Sequence, residues 1–191
     1  MVEWREGDLR IDGRKVHYYR TGTPGKPPVV LLHGFTNNGP TWTPLGRDLQ
    51  QVFDLIALDA AGHGLSDGPG PDPAPTQLRD DVVAALDLLD LAHPALVGHS
   101  MGAGTAAAAA ALLGDCLRCI VLEDPGWRGG DPPPPPPGAV GSPEWVALIR
   151  DLPAKSPEER RAMARAANPH WSEEDRELWI ASRVQFDLGL L

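Results

Sequence analysis

A serine sits between two glycines where an apolar run meets an alanine-rich run. Ala95-Leu96-Val97 leads into Gly98-His99-Ser100-Met101-Gly102, and Ala103 to Leu113 follows. A short apolar run, a tight turn and a long helix-forming stretch read as a strand feeding a helix. The glycines two places before and two places after the serine have a steric reason. Side chains there would collide with the neighbouring strand and helix. The serine itself is held in a strained backbone conformation that lifts its hydroxyl clear of the sheet edge. This junction requires a sheet with helices packed on it.

The rest of the first 125 residues repeats the theme. Leu9-Arg10-Ile11, Asp12-Gly13 and Val16-His17-Tyr18-Tyr19 predict a β-hairpin with a tight Asp-Gly turn. Val29-Val30-Leu31-Leu32 is continuous, as in a strand buried on both faces. A helix is expected over about 41–51, a strand over Phe53 to Leu58, and turns from Gly62 to Pro75. From Gln77 to Leu91, apolar residues at Leu78, Val82, Val83, Leu86 and Leu89 form a helical stripe. Cys119 to Leu122 is the last expected strand. Alternating apolar strands and amphipathic helices argue for an α/β fold, a mostly parallel sheet with flanking helices and right-handed crossovers. Ligands bind such sheets at the carboxyl ends of the strands. His33, Asp59, Ser100 and Glu123/Asp124 all fall there.

Composition narrows the partners. A net charge of −9 argues against nucleic acid and anionic membranes. No apolar run is long enough to span a bilayer, and the charged amino terminus does not read as a secretory signal. A cytoplasmic location is expected. Cys116 and Cys119 have C-x-x-C spacing but precede a strand rather than a helix, and no second ligand pair stands at zinc-site spacing. They are expected to be free, partly buried thiols, with no metal and no cofactor.

After Asp124 the character changes. Pro132 to Pro137 reads as a semi-rigid spacer. Ser142-Pro143-Glu144, Ser156-Pro157-Glu158-Glu159 and Ser172-Glu173-Glu174-Asp175 mark three helix starts, the last two as capping boxes. Residues 1–125 thus read as a sheet core. Residues 126–191 read as a spacer and a helical lid over the sheet edge.

His33-Gly34-Phe35, the run Asp59-Ala60-Ala61-Gly62-His63-Gly64-Leu65-Ser66 and Gly98-His99-Ser100-Met101-Gly102 together resemble the α/β-hydrolase superfamily, within it the lidded esterase/haloperoxidase-like group. The resemblance implies a nucleophile elbow at Ser100 and an oxyanion hole made by the Phe35 and Met101 backbone amides. It makes His33 and His63 structural, with Asp59 and Ser66 hydrogen-bonding one turn. An elbow serine, where dehalogenases and epoxide hydrolases of the superfamily carry aspartate, implies an acyl-enzyme and hydrolysis of small apolar esters or lactones. His99, Trp42 and Trp127 are expected at the substrate pocket; Trp42 and Trp127, with Phe35, Trp145 and Trp179, suggest an aromatic-lined apolar pocket, the alternative for each being plain core packing. Glu123 or Asp124 is a candidate acid; the alternative is that Asp124-Pro125 only begins the lid.

Family order is serine, acid, histidine. None of His17, His33, His63, His93, His99 and His170 stands where the base is expected. His93 falls at the opposite end of the sheet, and His170 falls on a lid loop. The expectation is therefore the amino-terminal portion of a serine hydrolase, with the last strands and the histidine beyond residue 191 or on a second chain. The competing reading is a non-catalytic small-molecule binder on a degenerate hydrolase scaffold.

Overall fold

The structure, a computed structural model, describes residues 2–127 and 134–191. Six strands form one sheet: β1 (Arg5–Ile11), β2 (Arg14–Gly22), β3 (Pro28–Leu32), β4 (Asp54–Leu58), β5 (Ala95–His99) and β6 (Cys119–Glu123). Their order is β1-β2-β4-β3-β5-β6. β1 and β2 are the antiparallel hairpin, turning at Asp12 and Gly13 with φ of 49° and 79°. The left-handed pair is what a two-residue hairpin turn requires. β2 runs antiparallel to β4, while β4, β3, β5 and β6 are parallel.

The continuous apolar runs are buried on both faces. Val30, Leu32, Ile56, Leu58 and Leu96 face α2 (Gln77–Leu88) and α3 (Met101–Leu113). Val29, Leu31, Leu55, Ala57 and Ala95 face the other way, against Trp4, Trp42 and α1 (Thr43–Leu49). Each fully buried leucine or isoleucine contributes about 1.5–3 kcal/mol. The alanines of α3 let it approach closely: Ala103, Ala106 and Ala109 are wholly buried against the sheet. Bidentate pairs tie β2 to its neighbours, Arg14 to Asp81 on α2 and Arg20 to Asp54 on β4.

Two helices differ from expectation at their ends. The segment expected as a helix over 41–51 opens as a 3-10 turn, Gly39–Trp42, before the short α1. Prolines 40 and 44 lack amides to donate. α2 stops at Leu88 rather than Leu91, because Asp90 turns left-handed at φ 50°. A correction concerns the thiols: Cys116 and Cys119 are free but exposed. β6 is an edge strand paired only with β5, so its residues are largely uncovered.

Three further helices follow: α4 (Pro143–Asp151), α5 (Pro157–Ala167) and α6 (Glu173–Val184). Ser142 and Ser156 cap the first two, and Ser156 with Glu159 forms the reciprocal box. Ser172 accepts from the Asp175 amide, but its hydroxyl donates to the Asp175 carboxylate, so the third cap is not a reciprocal box. Aspartate is one methylene shorter than the glutamate of a box. Of the proline run, Pro132 and Pro133 lie outside the described residues. Among the described residues no helix is long and apolar enough to cross a membrane.

Candidate active site

The parallel register aligns Leu32, Leu58, Gly98 and Leu122 across the sheet. The residues that follow each therefore emerge at one edge. After β5 the chain turns within a single residue. Ser100 has φ 51° and ψ −112°, a conformation that strains any side-chain-bearing residue. Its amide donates to the Glu123 carbonyl at 2.9 Å, which fastens the turn to the end of β6. A Cβ at Gly98 would strike the Gly102 carbonyl, and one at Gly102 would strike the Leu32 carbonyl. The glycine spacing is thus dictated by backbone against backbone.

After β3 the chain makes a second tight turn. The Asn37 amide donates to the Gly34 carbonyl at 3.0 Å, with Thr36 left-handed at φ 64°. This bend presents the Phe35 amide, and the start of α3 presents the Met101 amide. Neither donates to another described group. The first turn of a helix is also electropositive, so this edge suits a developing negative charge.

The histidines sort by their partners. His33 is buried, its Nε2 accepting from the Ala60 amide at 3.0 Å and its Nδ1 donating to the Gly34 carbonyl at 2.9 Å. Burial pushes its pKa down to about 3, so the ring is a neutral strut between β3 and β4. His63 is buried as well, and burial lowers its pKa too. It stacks against His33, Phe35 and Phe186. Asp59 is fully buried and accepts from the Gly39 and Leu65 amides at 2.6 and 2.8 Å. Burial raises its pKa. The Ser66 hydroxyl donates to the Asp59 carbonyl and accepts from the His17 amide, so the expected turn network is present.

A cavity of about 340 Å³ opens beside this edge. Gly34, His99 and Glu123 form its floor. Trp42 closes one side, and Trp171 and Trp179 descend from the turn before α6 and from α6 itself. A Cβ on Gly34 would lie 2.6 Å from His99 Nδ1, so the glycine admits the His99 ring. Of the aromatic residues expected at the pocket, Trp42 and Trp179 line it. Trp127 does not: it is 64% exposed and stands off the cavity wall. It follows β6, which nothing described covers on its outer side. Phe35 and Trp145 meet in an apolar cluster with Ile149 and Phe186, which seats α4 and the end of α6 against the second turn. Asp124 leaves the strand at φ 45°, exposed to solvent. His170 is exposed and lies off the cavity wall.

Sequence reasoning passed over Asn37 and the 183–185 segment. The Asn38 amide group donates to Gln185, and Arg183 donates to Asn37, joining α6 to the turn that carries Phe35. The available signal was an arginine four residues after Trp179, one helical turn on.

A family model for the alpha/beta hydrolase fold matches residues 27–175. The chain belongs to the α/β hydrolase fold family. Among curated relatives, 2-(acetamidomethylene)succinate hydrolase of Mesorhizobium japonicum is 38% identical over 98 residues, covering 51% of this chain and 35% of the relative. N-formylmaleamate deformylase of Pseudomonas putida is 37% identical over 120 residues, covering 62% and 44%. The crystal structure of an N-formylmaleamic acid deformylase from Pseudomonas putida S16 superposes with a TM-score of 0.78 at 25% identity, over 95% of this chain and 68% of that one. The matches thus span less than half of these curated relatives.

Proposed function

We propose that this chain forms the nucleophile-bearing part of a serine hydrolase that cleaves small carboxylic acyl compounds through an acyl-enzyme on Ser100. The observation that carries the reading is the strained Ser100 at the start of α3, beside the two unengaged amides of Phe35 and Met101. In this reading the Ser100 hydroxyl attacks the substrate carbonyl. The two amides hold the oxyanion, a contribution of about 3–4 kcal/mol per donor to the barrier in other serine hydrolases. Esters and lactones fit this chemistry. So do the amide-type compounds named by two relatives, the deformylase and the acetamidomethylene succinate hydrolase.

A serine needs a base. Among the described residues no group hydrogen-bonds the Ser100 hydroxyl, and both nitrogens of His33 are engaged. In this reading the base is supplied by a further segment or a second chain, and Glu123 or Asp124 at the neighbouring strand end orients it. α4 to α6 act as the lid, and His99 and Trp42 as pocket walls. The two free thiols suit a reducing cytoplasm.

The test is labelling with a fluorophosphonate, with the adduct located by mass spectrometry. Slow labelling confined to Ser100 is expected, because an oxyanion hole without a base retains only a residual rate. Labelling at another serine, or none above that of Ser100→Ala, refutes the assignment. Labelling at the rate of an intact esterase refutes the external base.

A further inference from the structure

Among the described residues, the well-packed arginines are treated differently. Arg14 and Arg20 each grip an aspartate with two hydrogen bonds. Arg183, on α6, has no carboxylate partner among the described residues. Its Nη1 donates to the Asn37 side-chain oxygen at 3.3 Å, the Trp179 carbonyl at 3.2 Å and the Ser182 hydroxyl at 3.2 Å. All three acceptors are neutral. Nε is buried with no acceptor, and the guanidinium stacks 4.1 Å over the Trp179 ring. Burial pulls its pKa down to about 9, still charged at neutral pH. A largely packed charge without a counter-charge is unfavourable, and folded chains rarely keep one without a use.

The position of this charge gives the use. Asn37 and Trp179, the residues that hold the guanidinium, both line the cavity beside Ser100, and Arg183 stands directly behind them, partly exposed. A second donor on that wall is also unmatched: Trp42 Nε1 is buried with no acceptor. The cavity's own carboxylates do not serve Arg183. Asp175 takes the Ser172 hydroxyl at the α6 cap, and Glu123 is exposed at the strand end. We propose that Arg183 is a substrate-binding residue that anchors a carboxylate, so the preferred acyl substrates carry a free carboxylate beside the bond cleaved. Arginine suits this task because its planar fork matches a carboxylate in two hydrogen bonds. The proposal rests on the serine-hydrolase reading for the word substrate; the binding itself does not depend on it.

The aromatic wall with Glu123 and Asp175 also resembles a cage for a cation. Arg183 already occupies one face of Trp179, however, and repels a second positive charge. The experiment separates the two. Binding of succinate, succinamide and choline is followed by tryptophan fluorescence and calorimetry in Ser100→Ala protein. Failure of the Ser100 chemistry then leaves this result standing. Succinate is expected to bind at least about tenfold tighter than succinamide, a gap of about 1.4 kcal/mol. Arg183→Gln should erase the preference, and Arg183→Lys should keep part of it. Should Arg183→Gln fail to fold, salt decides: the preference should persist at about 0.5 M NaCl, since a sheltered pair is weakly screened. Equal binding of succinate and succinamide overturns the proposal. So do tighter binding of choline, a preference that survives Arg183→Gln, and a preference lost in salt.

Discussion

At the scale of single residues, the site is held by groups with no room to change. Gly102 faces the Leu32 and His33 carbonyls, which belong to the backbone and cannot swing away. Gly102→Ala should destabilise the protein by about 1–3 kcal/mol, the usual cost of overpacking, read as a lower urea midpoint. Gly104, on the same helix, has open space at its Cβ position. Gly104→Ala should be neutral or slightly stabilising, and equal losses at both glycines would sink the steric account. His33 and His63 carry a pH dependence. Burial depresses both pKa values, so the folded state leaves both rings neutral while the unfolded chain protonates near pH 6.5. The stability they contribute is present above that pH and falls as the solution is acidified, continuing toward pH 3 for His33. Between pH 6 and 5 the loss from His33 should be about 1 kcal/mol per pH unit, with His63 adding to it in the same direction. Asp59 works the other way, because burial raises its pKa and the folded state takes up that proton more readily. Asp59→Asn should therefore steepen the acid loss. Unfolding free energies measured at both pH values check the sign; a flat profile contradicts it.

At the scale of elements, α4 is the sharpest case. Ser142 is fully buried and accepts from both the Gly138 and Trp145 amides. The helix it starts delivers Trp145 and Ile149 to the cluster around Phe35. Ser142→Ala takes the acceptor from the buried Trp145 amide and from the amide of the exposed Gly138, at a cost of about 1–2 kcal/mol. Hydrogen exchange should rise in α4 and stay unchanged in β3 to β5. Uniform loosening would mean that α4 and the sheet unfold as one unit. Elements of this kind were legible in the sequence because their signals are local. Four residues of unbroken apolar character at Val29 marked a doubly buried strand, and Ser-Pro-Glu marked helix starts. The Gly-x-Ser-x-Gly spacing announced its own steric conflict. What escaped reading depends on contacts between distant segments. Nothing near Asn37 in the chain indicates that Arg183 would reach it. Trp127 is as apolar as Trp42, and only the position of β6 in the sheet leaves it outside. The α2 end was missed because Leu89 and Leu91 continue the stripe while Asp90 breaks the backbone.

At the scale of the whole molecule, the two edges of the sheet are built differently. β1 alternates charged residues along its exposed side, Arg5, Glu6, Asp8 and Arg10, which discourage pairing with another chain. β6 has no such guard before Glu123. Ile120 is 37% and Val121 53% exposed, and Leu112 on α3 and Trp127 after β6 are exposed as well. An edge of this kind accepts another strand. The purified chain is therefore expected to bind an apolar dye and to self-associate as concentration rises, and Val121→Lys should reduce both. Thr21→Lys, on the buried inner strand β2, is no control for this. Arg10→Lys on the guarded edge is, and it should change neither. A chain that stays monomeric and dye-silent at high concentration would remove the argument for an incoming strand. The location of the edge links this prediction to the chemistry. The Glu123 carbonyl at its end holds the Ser100 amide, and the Glu123 side chain borders the cavity. A strand added alongside β6 would end next to Ser100, whose hydroxyl has no hydrogen-bonding partner among the described residues. Pairing at this edge and activation of Ser100 are then expected to rise together when a complementing segment is supplied, and a segment that restores one without the other would show that the base comes from elsewhere.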